Sequence, residues 1–140
     1  MNFEQSPQNE AENTSFHKKE FTPDGGVIYV FDHVAVKIDN SGKNYKELPE
    51  LMFGTFDEEP SSEALHQPEM KRDGIDMAYV AQCIHSVAKD SGVYEFWFYP
   101  YGEDVFPEHK DTREQARLRL FQRLGDITPA PNGFGYILKV

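Results

Sequence analysis

The chain of 140 residues contains a single cysteine, no long apolar segment and few basic residues. Because a disulfide needs two cysteines, Cys83 cannot form one within the chain. No apolar run approaches the roughly 20 residues of a membrane-spanning helix. The first residues lack the basic segment followed by an apolar one that marks a secretory signal. We therefore expect a cytoplasmic protein that does not enter a membrane.

Basic residues are outnumbered, and the imbalance is concentrated in the first half of the chain. The net charge is −10; residues 1–70 carry 5 basic against 14 acidic side chains, a net −9, and residues 71–140 carry 9 against 10, a net −1. Because Lys and Arg supply most of the affinity for nucleic-acid phosphates, we expect no direct nucleic-acid binding. The acidic half either aids solubility, contacts a basic protein partner or imitates nucleic acid.

The composition is that of a folded domain with a polar tail. Hydrophobic residues make up 39% of the chain and aromatic residues 14%, which is enough for one core at this length. Residues 1–20 are polar and show no periodicity, so we predict that they form a disordered tail. Residues 21–140 are predicted to form a single domain.

The clearest helical pattern lies between Gly74 and Gly92. Lys89 lies in the last turn, where a positive charge is favourable, and Gly92 stands where a left-handed C-cap is expected. A second helix is predicted from Asp111, which begins a capping-box-like segment, to Gly125. The first helix has apolar residues at the spacing of one helical face, namely Met77, Val80, Ala81, Ile84, Val87 and Ala88.

Several aromatic and β-branched segments predict strands. VYEFWFYPY, from Val93, is too continuously apolar to have a solvated face and is therefore predicted to be a central strand. Residues 26–39 form either one long strand or two strands broken near residues 31–33. Further strands are predicted at LMFGTF, LHQPEM and GFGYILKV. The fold class predicted is α+β, a single domain with a mixed twisted sheet of about six strands and two main helices.

The order of these elements and two stretches of sequence within them resemble the second half of the GNAT N-acetyltransferase superfamily. In that family a strand leads into an R/Q-x-x-G-x-G/A loop that binds the acetyl-CoA pyrophosphate, and a later helix ends L-Y-x-x-L-G-F. LHQPEMKRDGID places Lys71 at the R/Q position, Gly74 at the first glycine and Asp76 at the second. LFQRLGD places Phe121 where tyrosine is usual. The cofactor-binding residues that the resemblance implies are Met70, Lys71, Arg72, Asp73, Gly74, Ile75 and Asp76.

Asp76 admits two interpretations that bear on the cofactor. Free N–H groups and the helix dipole make a helix N-terminus an anion site, and Gly74 would let a phosphate approach the backbone. A carboxylate at the N-cap instead accepts hydrogen bonds from those N–H groups and repels a pyrophosphate. A cofactor would still bind if Asp76 points away and Lys71 and Arg72 supply the opposite charge. We predict weak or absent acetyl-CoA binding in the native protein.

The family reaction transfers an acetyl group to an amine, which needs a base and often a tyrosine that protonates the leaving thiolate. Phe121 cannot serve as that acid. Glu95 is the one charge in the aromatic strand and is either a base with a raised pKa or a residue on the strand's edge side. The remaining candidates for the base and the acid are Glu63 and His66 on the predicted strand before the loop, and Tyr99 and Tyr101 at the end of the aromatic strand.

Metal and nucleophile chemistry are not expected. The five histidines show no i, i+4 pair and no metal-site arrangement with cysteine or carboxylates. Cys83 has no neighbouring Cys-His pattern and is predicted to be a packed or half-exposed thiol. The predicted function is a GNAT-like N-acyltransferase, or a degenerate descendant, acting on a small-molecule or protein amine. The alternative is a non-catalytic acidic interaction module with a basic protein partner.

Overall fold

A mixed sheet of seven strands forms the centre of the computed structural model, which describes residues 14–66, 76–99, 118–119 and 121–140. No helix in these ranges is long and apolar enough to cross a bilayer. Two helices, α1 (Ser62–Leu65) and α2 (Met77–Ser91), accompany the sheet, and residues 118, 119, 121 and 122 are also helical. The strands are β1 Lys18–Phe21, β2 Gly26–Val30, β3 Val34–Asp39, β4 Glu50–Thr55, β5 Glu95–Phe98, β6 Asp126–Pro129 and β7 Tyr136–Lys139.

The strand order is β1-β2-β3-β4-β5-β7-β6. Strands β1 to β4 form an antiparallel meander, and the pairs β5–β7 and β7–β6 are also antiparallel. The pair β4–β5 is parallel, with α2 as the crossover between the two strands. The predicted class, a single α+β domain with a mixed sheet and two helices, is confirmed, with seven strands where about six were expected.

The strand-like segment 26–39 is a hairpin of two strands, β2 and β3. Val30 pairs with Ala35, and the Phe31 N–H donates to the Val34 carbonyl at 2.7 Å. His33, in the turn, has φ of 64°, a left-handed conformation that is uncommon outside glycine. The Phe56 N–H donates to the His33 carbonyl at 3.0 Å, so the end of β4 holds this turn.

The ordered sheet begins earlier than the predicted domain boundary at residue 21. Residues Lys18–Phe21 form β1, in register with β2 from Lys18↔Val30 to Phe21↔Val27. Its side chains alternate between half-buried and exposed, as expected of a strand at the edge of a sheet. The predicted tail is therefore wrong at residues 18–20, and residues 1–13 lie outside the described ranges.

The predicted LHQPEM strand is wrong where the structure describes it. Leu65 closes helix α1, and His66 is its C-cap with a helical backbone. Ser61 is the N-cap, since its hydroxyl accepts from the Ala64 N–H at 3.3 Å. Leu65 is buried against β2 and β3 through Ile28, Val30 and Ala35. Residues 67–70 lie outside the described part of the chain.

Helix α2 begins and ends as its sequence predicts. Gly92 adopts φ of 75° and its N–H donates to the Ala88 carbonyl at 2.8 Å, the left-handed C-cap. The buried face carries five of the six predicted apolar residues and also Cys83, whereas Ala81 is half-buried. This face packs on the side of the sheet that carries Phe53, Phe96 and Phe98.

Strand β5 is central, as predicted, between β4 and β7. Phe96 and Phe98 face α2, whereas Trp97 is buried on the opposite face with Tyr45 and Ala130. On the α2 side, Phe121 and Leu124 are 8% and 3% exposed while Arg123 is exposed, which confirms the predicted core face. The companion predictions for Leu120 and Arg117 lie outside the described residues.

Candidate functional site

The one parallel strand pair of the described sheet joins β4 and β5. The pair consists of a single register position, Glu50↔Trp97, and the Trp97 N–H donates to the Pro49 carbonyl at 2.9 Å. Beyond Glu50, no residue of β4 has a register partner on β5 among the described residues. In open α/β sheets, ligands bind outside the carboxyl ends of strands at such a change in connection. A ligand is therefore expected near the carboxyl ends of β4 and β5.

The N-terminus of α2 is capped by a carboxylate. Asp76 has an extended backbone, and its Oδ1 accepts from the Ala78 N–H at 3.1 Å and from the Tyr79 N–H at 3.3 Å. These are the groups that would otherwise bind a phosphate. Of the two interpretations of Asp76, the geometry fits the capping one.

A cleft beside this cap is lined by three carboxylates. It encloses about 420 Å³ between the β2–β3 turn, the end of β4 and the first turn of α2. Asp32, Asp57 and Asp76 supply the carboxylates, and Phe56 and Tyr79 supply aromatic rings. Negative charges that line one cleft reinforce each other's potential. The cleft therefore favours cations and disfavours phosphates.

Tyr79 ties the helix to the turn that forms one wall of this cleft. Its hydroxyl oxygen accepts from the Asp32 N–H at 3.1 Å, and burial is the main cause that raises the pKa of Tyr79. The phenol is therefore neutral at ordinary pH, and a side-chain hydrogen bond with Cys83 also contributes to the raised pKa of Tyr79. The sequence offered one signal for this residue, because position 79 is three residues after the N-cap and so lies on the same side of the first turn.

Phe121 packs against both strands of the parallel pair, β4 and β5. Its ring stacks on Phe98 of β5, with centroids 3.9 Å apart and planes 13° apart. The same ring meets Phe53 of β4 edge to face, at 5.4 Å and 62°. The residue is 8% exposed. A phenyl ring without a hydroxyl thus bridges β4 and β5 on the α2 side of the sheet.

The four predicted catalytic residues that the structure describes lie on different elements. Glu63 is exposed on α1, and the His66 ring nitrogen Nε2 is buried without a hydrogen-bond partner among the described residues. Because α1 packs through Leu65 on β2 and β3, Glu63 and His66 lie over those two strands rather than near β5.

Glu95 and Tyr99 occupy opposite ends of β5. Glu95 begins the strand, is 46% exposed in its side chain and lies 3.4 Å from the Lys139 ammonium. This half-exposed position at the start of β5 matches the edge-side interpretation of Glu95 rather than that of a catalytic base. Tyr99 follows the carboxyl end of β5, is 38% exposed and stacks on Phe134 at 4.6 Å. Tyr101 and the loop residues 70–75 lie outside the described part of the chain.

Cysteine and metal chemistry find no support at the described positions. Cys83 is fully buried, and burial raises the pKa of its thiol to about 12, so the reactive thiolate is scarce at neutral pH. Among residues 14–66, 76–99, 118–119 and 121–140, no three His, Cys, Asp or Glu side chains are arranged to hold a metal ion.

Comparison with known proteins adds no functional assignment. No protein-family model, no curated protein and no solved structure matches this chain. Three features therefore bear on function: the parallel β4–β5 pair, the capped N-terminus of α2 and the acidic cleft.

Proposed function

We propose that this chain is a GNAT-like protein, an N-acyltransferase or a degenerate descendant of one, whose native form binds acetyl-CoA weakly or not at all. One observation carries the proposal. The β4–β5 pair is the one parallel pair of the described sheet, and α2 begins beside the carboxyl end of β4. That arrangement supplies a change in strand connection and a neighbouring helix N-terminus, two features of nucleotide-binding sites.

The acidic cleft supports an amine as the acceptor class. Asp32, Asp57 and Asp76 attract an ammonium group, whether it belongs to a small molecule or to a lysine side chain. Phe56 and Tyr79 add aromatic surface, which also favours cations. Substrate amine and acyl donor would then approach the same edge of the sheet from the two sides of β4.

Asp76 is the residue that limits cofactor binding in this proposal. A carboxylate a few Å from a pyrophosphate costs on the order of 1 kcal/mol per charge even in water, and more in a drier cleft. About 1.4 kcal/mol corresponds to a tenfold change in affinity. We therefore expect Asp76→Gly to bind acetyl-CoA at least about tenfold more tightly than the native protein, by isothermal titration. Glycine remains an acceptable N-cap, so the helix should persist.

Asp76→Asn is the matched control, because asparagine caps a helix about as well as aspartate but carries no charge. If charge alone blocks the site, both variants gain equally; if the close backbone approach also matters, the glycine variant gains more. Micromolar or tighter binding to the native protein would contradict this interpretation. So would a folded Asp76→Gly variant with no gain.

The same cleft favours a second candidate, an acidic interaction module that binds a basic protein partner. Carboxylates from three separate elements meet there, and residues 1–70 carry a net charge of −9. We expect a lysine-rich peptide to bind the native protein, with an affinity that falls as salt screens the charges. Asp32→Asn combined with Asp57→Asn should weaken that binding about tenfold.

The control for this test is Glu63→Gln combined with Asp126→Asn, which removes two exposed charges outside the cleft. Equal losses in the two double variants would show that the peptide responds to net charge rather than to the cleft. Acetyl transfer to the bound peptide, measured by mass spectrometry, would favour the acyltransferase; binding without transfer would favour the module.

A further inference from the structure

A pocket with aromatic walls lies beside the turn between β6 and β7. It encloses about 290 Å³ and is lined by Tyr99, Pro129, Gly133, Phe134, Gly135 and Tyr136. None of the described residues lines both this pocket and the acidic cleft. The pocket therefore bears on a function beyond the proposed one, and the two sites can be tested separately.

Two exposed aromatic rings form one wall of this pocket. Tyr99 and Phe134 are 38% and 43% exposed, and their ring centroids lie 4.6 Å apart in a stacked arrangement. The buried Trp97 holds both rings: its indole is parallel to the Tyr99 ring at 6.3 Å, and its Nε1–H donates to the Phe134 carbonyl at 2.8 Å. Because the wall is fixed before a partner arrives, little conformational freedom is lost on binding.

The pocket suits an uncharged ring on an extended backbone. None of its six described lining residues is an acidic or basic side chain. A Cβ at Gly133 would meet nothing within 4 Å, so the backbone of a partner can approach closely there. Proline supplies such a ring, and aromatic-lined grooves bind proline-rich segments in the polyproline II conformation.

We infer that this pocket binds a proline-rich protein segment whose neighbouring residues are basic. Charge complementarity selects those neighbours, because the chain carries a net charge of −10 and attracts Lys or Arg at long range. A polyproline II segment is already extended before it binds, so it loses little conformational entropy and needs only a small pocket.

The test titrates the protein calorimetrically with three probes. The first is a decaproline peptide with two arginines at each end, the second is the same peptide with alanine in place of every proline, and the third is cellohexaose, a neutral sugar. We expect only the first to bind, with a dissociation constant of about 100 μM or lower. Because Trp97 is the only tryptophan of the chain and contacts both wall rings, its fluorescence should change on binding.

Phe134→Ala should weaken binding of the proline peptide at least about tenfold, because it removes an aromatic anchor. Phe21→Ala is the matched control, since Phe21 is 72% exposed on β1, at the other edge of the sheet. It should leave the affinity unchanged. Phe134→Leu replaces the alanine variant if thermal unfolding shows that Phe134→Ala does not fold.

The contrary outcomes are distinct. Equal binding of the proline and alanine peptides overturns the inference, because the arginine charges alone would explain it. Binding of cellohexaose in place of the proline peptide, no saturation by the proline peptide, or equal losses in the Phe134 and Phe21 variants also overturns it. None of these results changes the expected binding of acetyl-CoA or of a lysine-rich peptide, so the proposed function stands or falls on its own tests.

Discussion

Two glycines of the β6–β7 turn share one backbone conformation but have different surroundings. Gly133 has φ of 77° and Gly135 has φ of 78°, a region that other residues adopt at a cost. A Cβ at Gly133 would meet nothing within 4 Å, whereas a Cβ at Gly135 would lie 2.5 Å from the Trp97 indole. The Trp97 Nε1–H also donates to the Phe134 carbonyl at 2.8 Å. Substitutions at Gly133 and Gly135 therefore separate the free-energy cost of the left-handed backbone from the cost of the contact with Trp97.

Gly133→Ala should cost about 1 kcal/mol of unfolding free energy, from the left-handed backbone alone. Gly135→Ala should cost about 1–3 kcal/mol more, because the indole must move to admit the methyl group. Urea unfolding of both variants measures the difference. Equal losses would mean that the turn relaxes away from Trp97 without cost.

A second residue-scale contact joins the edge of the sheet to the end of α2. The Tyr29 hydroxyl donates to Asp90 Oδ2 at 2.9 Å, and the Lys19 ammonium donates to the same oxygen at 2.8 Å. The hydrogen bond from Lys19 is the largest cause that lowers the pKa of Asp90 below its usual value of 3.8, and the bond from Tyr29 is the next. Burial and the Asp90 carboxylate raise the pKa of Tyr29, so the phenol stays neutral and keeps donating.

The lowered pKa of Asp90 predicts how the stability of the protein changes with pH. A carboxyl group whose pKa is lower in the folded state stabilises the protein above its unfolded pKa, and that contribution is lost as the pH falls through the folded value. The free-energy difference between the native protein and Asp90→Asn should therefore be constant near pH 7 and shrink below about pH 4. Urea unfolding across this range measures it; a difference that does not change with pH would exclude the linkage.

Tyr29→Phe provides the matched variant. It removes the buried hydroxyl while it keeps the ring, so it should cost about 1 kcal/mol at neutral pH. In this variant the stability contributed by Asp90 should be lost at a higher pH, because Asp90 would keep only the hydrogen bond from Lys19 and its pKa would be lowered less.

At the scale of elements, patterns succeeded where local signals agreed with packing. Helix α2 combines an amphipathic face, an aspartate at its N-cap and a glycine at its C-cap, and each of these is readable from nearby residues. Strand β5 was readable as central because its aromatic residues leave no polar face. In both cases the local preference and the tertiary environment favour the same state.

The elements that were missed or wrong are short and depend on partners. Strand β6, Asp126–Pro129, is mostly exposed and forms through its pairing with β7. Strand β1 contains three charged residues and forms through its pairing with β2. Helix α1 has one turn and is held by a serine cap and the burial of Leu65, so tertiary contact overrides a weak strand pattern.

At the scale of the whole molecule, the candidate site depends on contacts between distant segments. Asp32 and Asp57 are separated in sequence by strands β3 and β4, and Asp57 and Asp76 by the segment between β4 and α2, yet all three line one cleft. Only Asp76 was recognisable in advance, because its place before a helical pattern makes it an N-cap. Of the candidate bases and acids, Glu63 and His66 lie over β2 and β3, and Glu95 lies at the far end of β5.

The sequence by itself determined the fold class, the extent of α2, the central place of β5 and the burial of Phe121 and Leu124, because these follow from side-chain periodicity and caps within one segment. Only the tertiary structure decided that β7 lies between β5 and β6, that β4 and β5 share a single paired position, and that Phe121 spans them. Register and strand order depend on how remote faces pack together, and no local propensity encodes that choice.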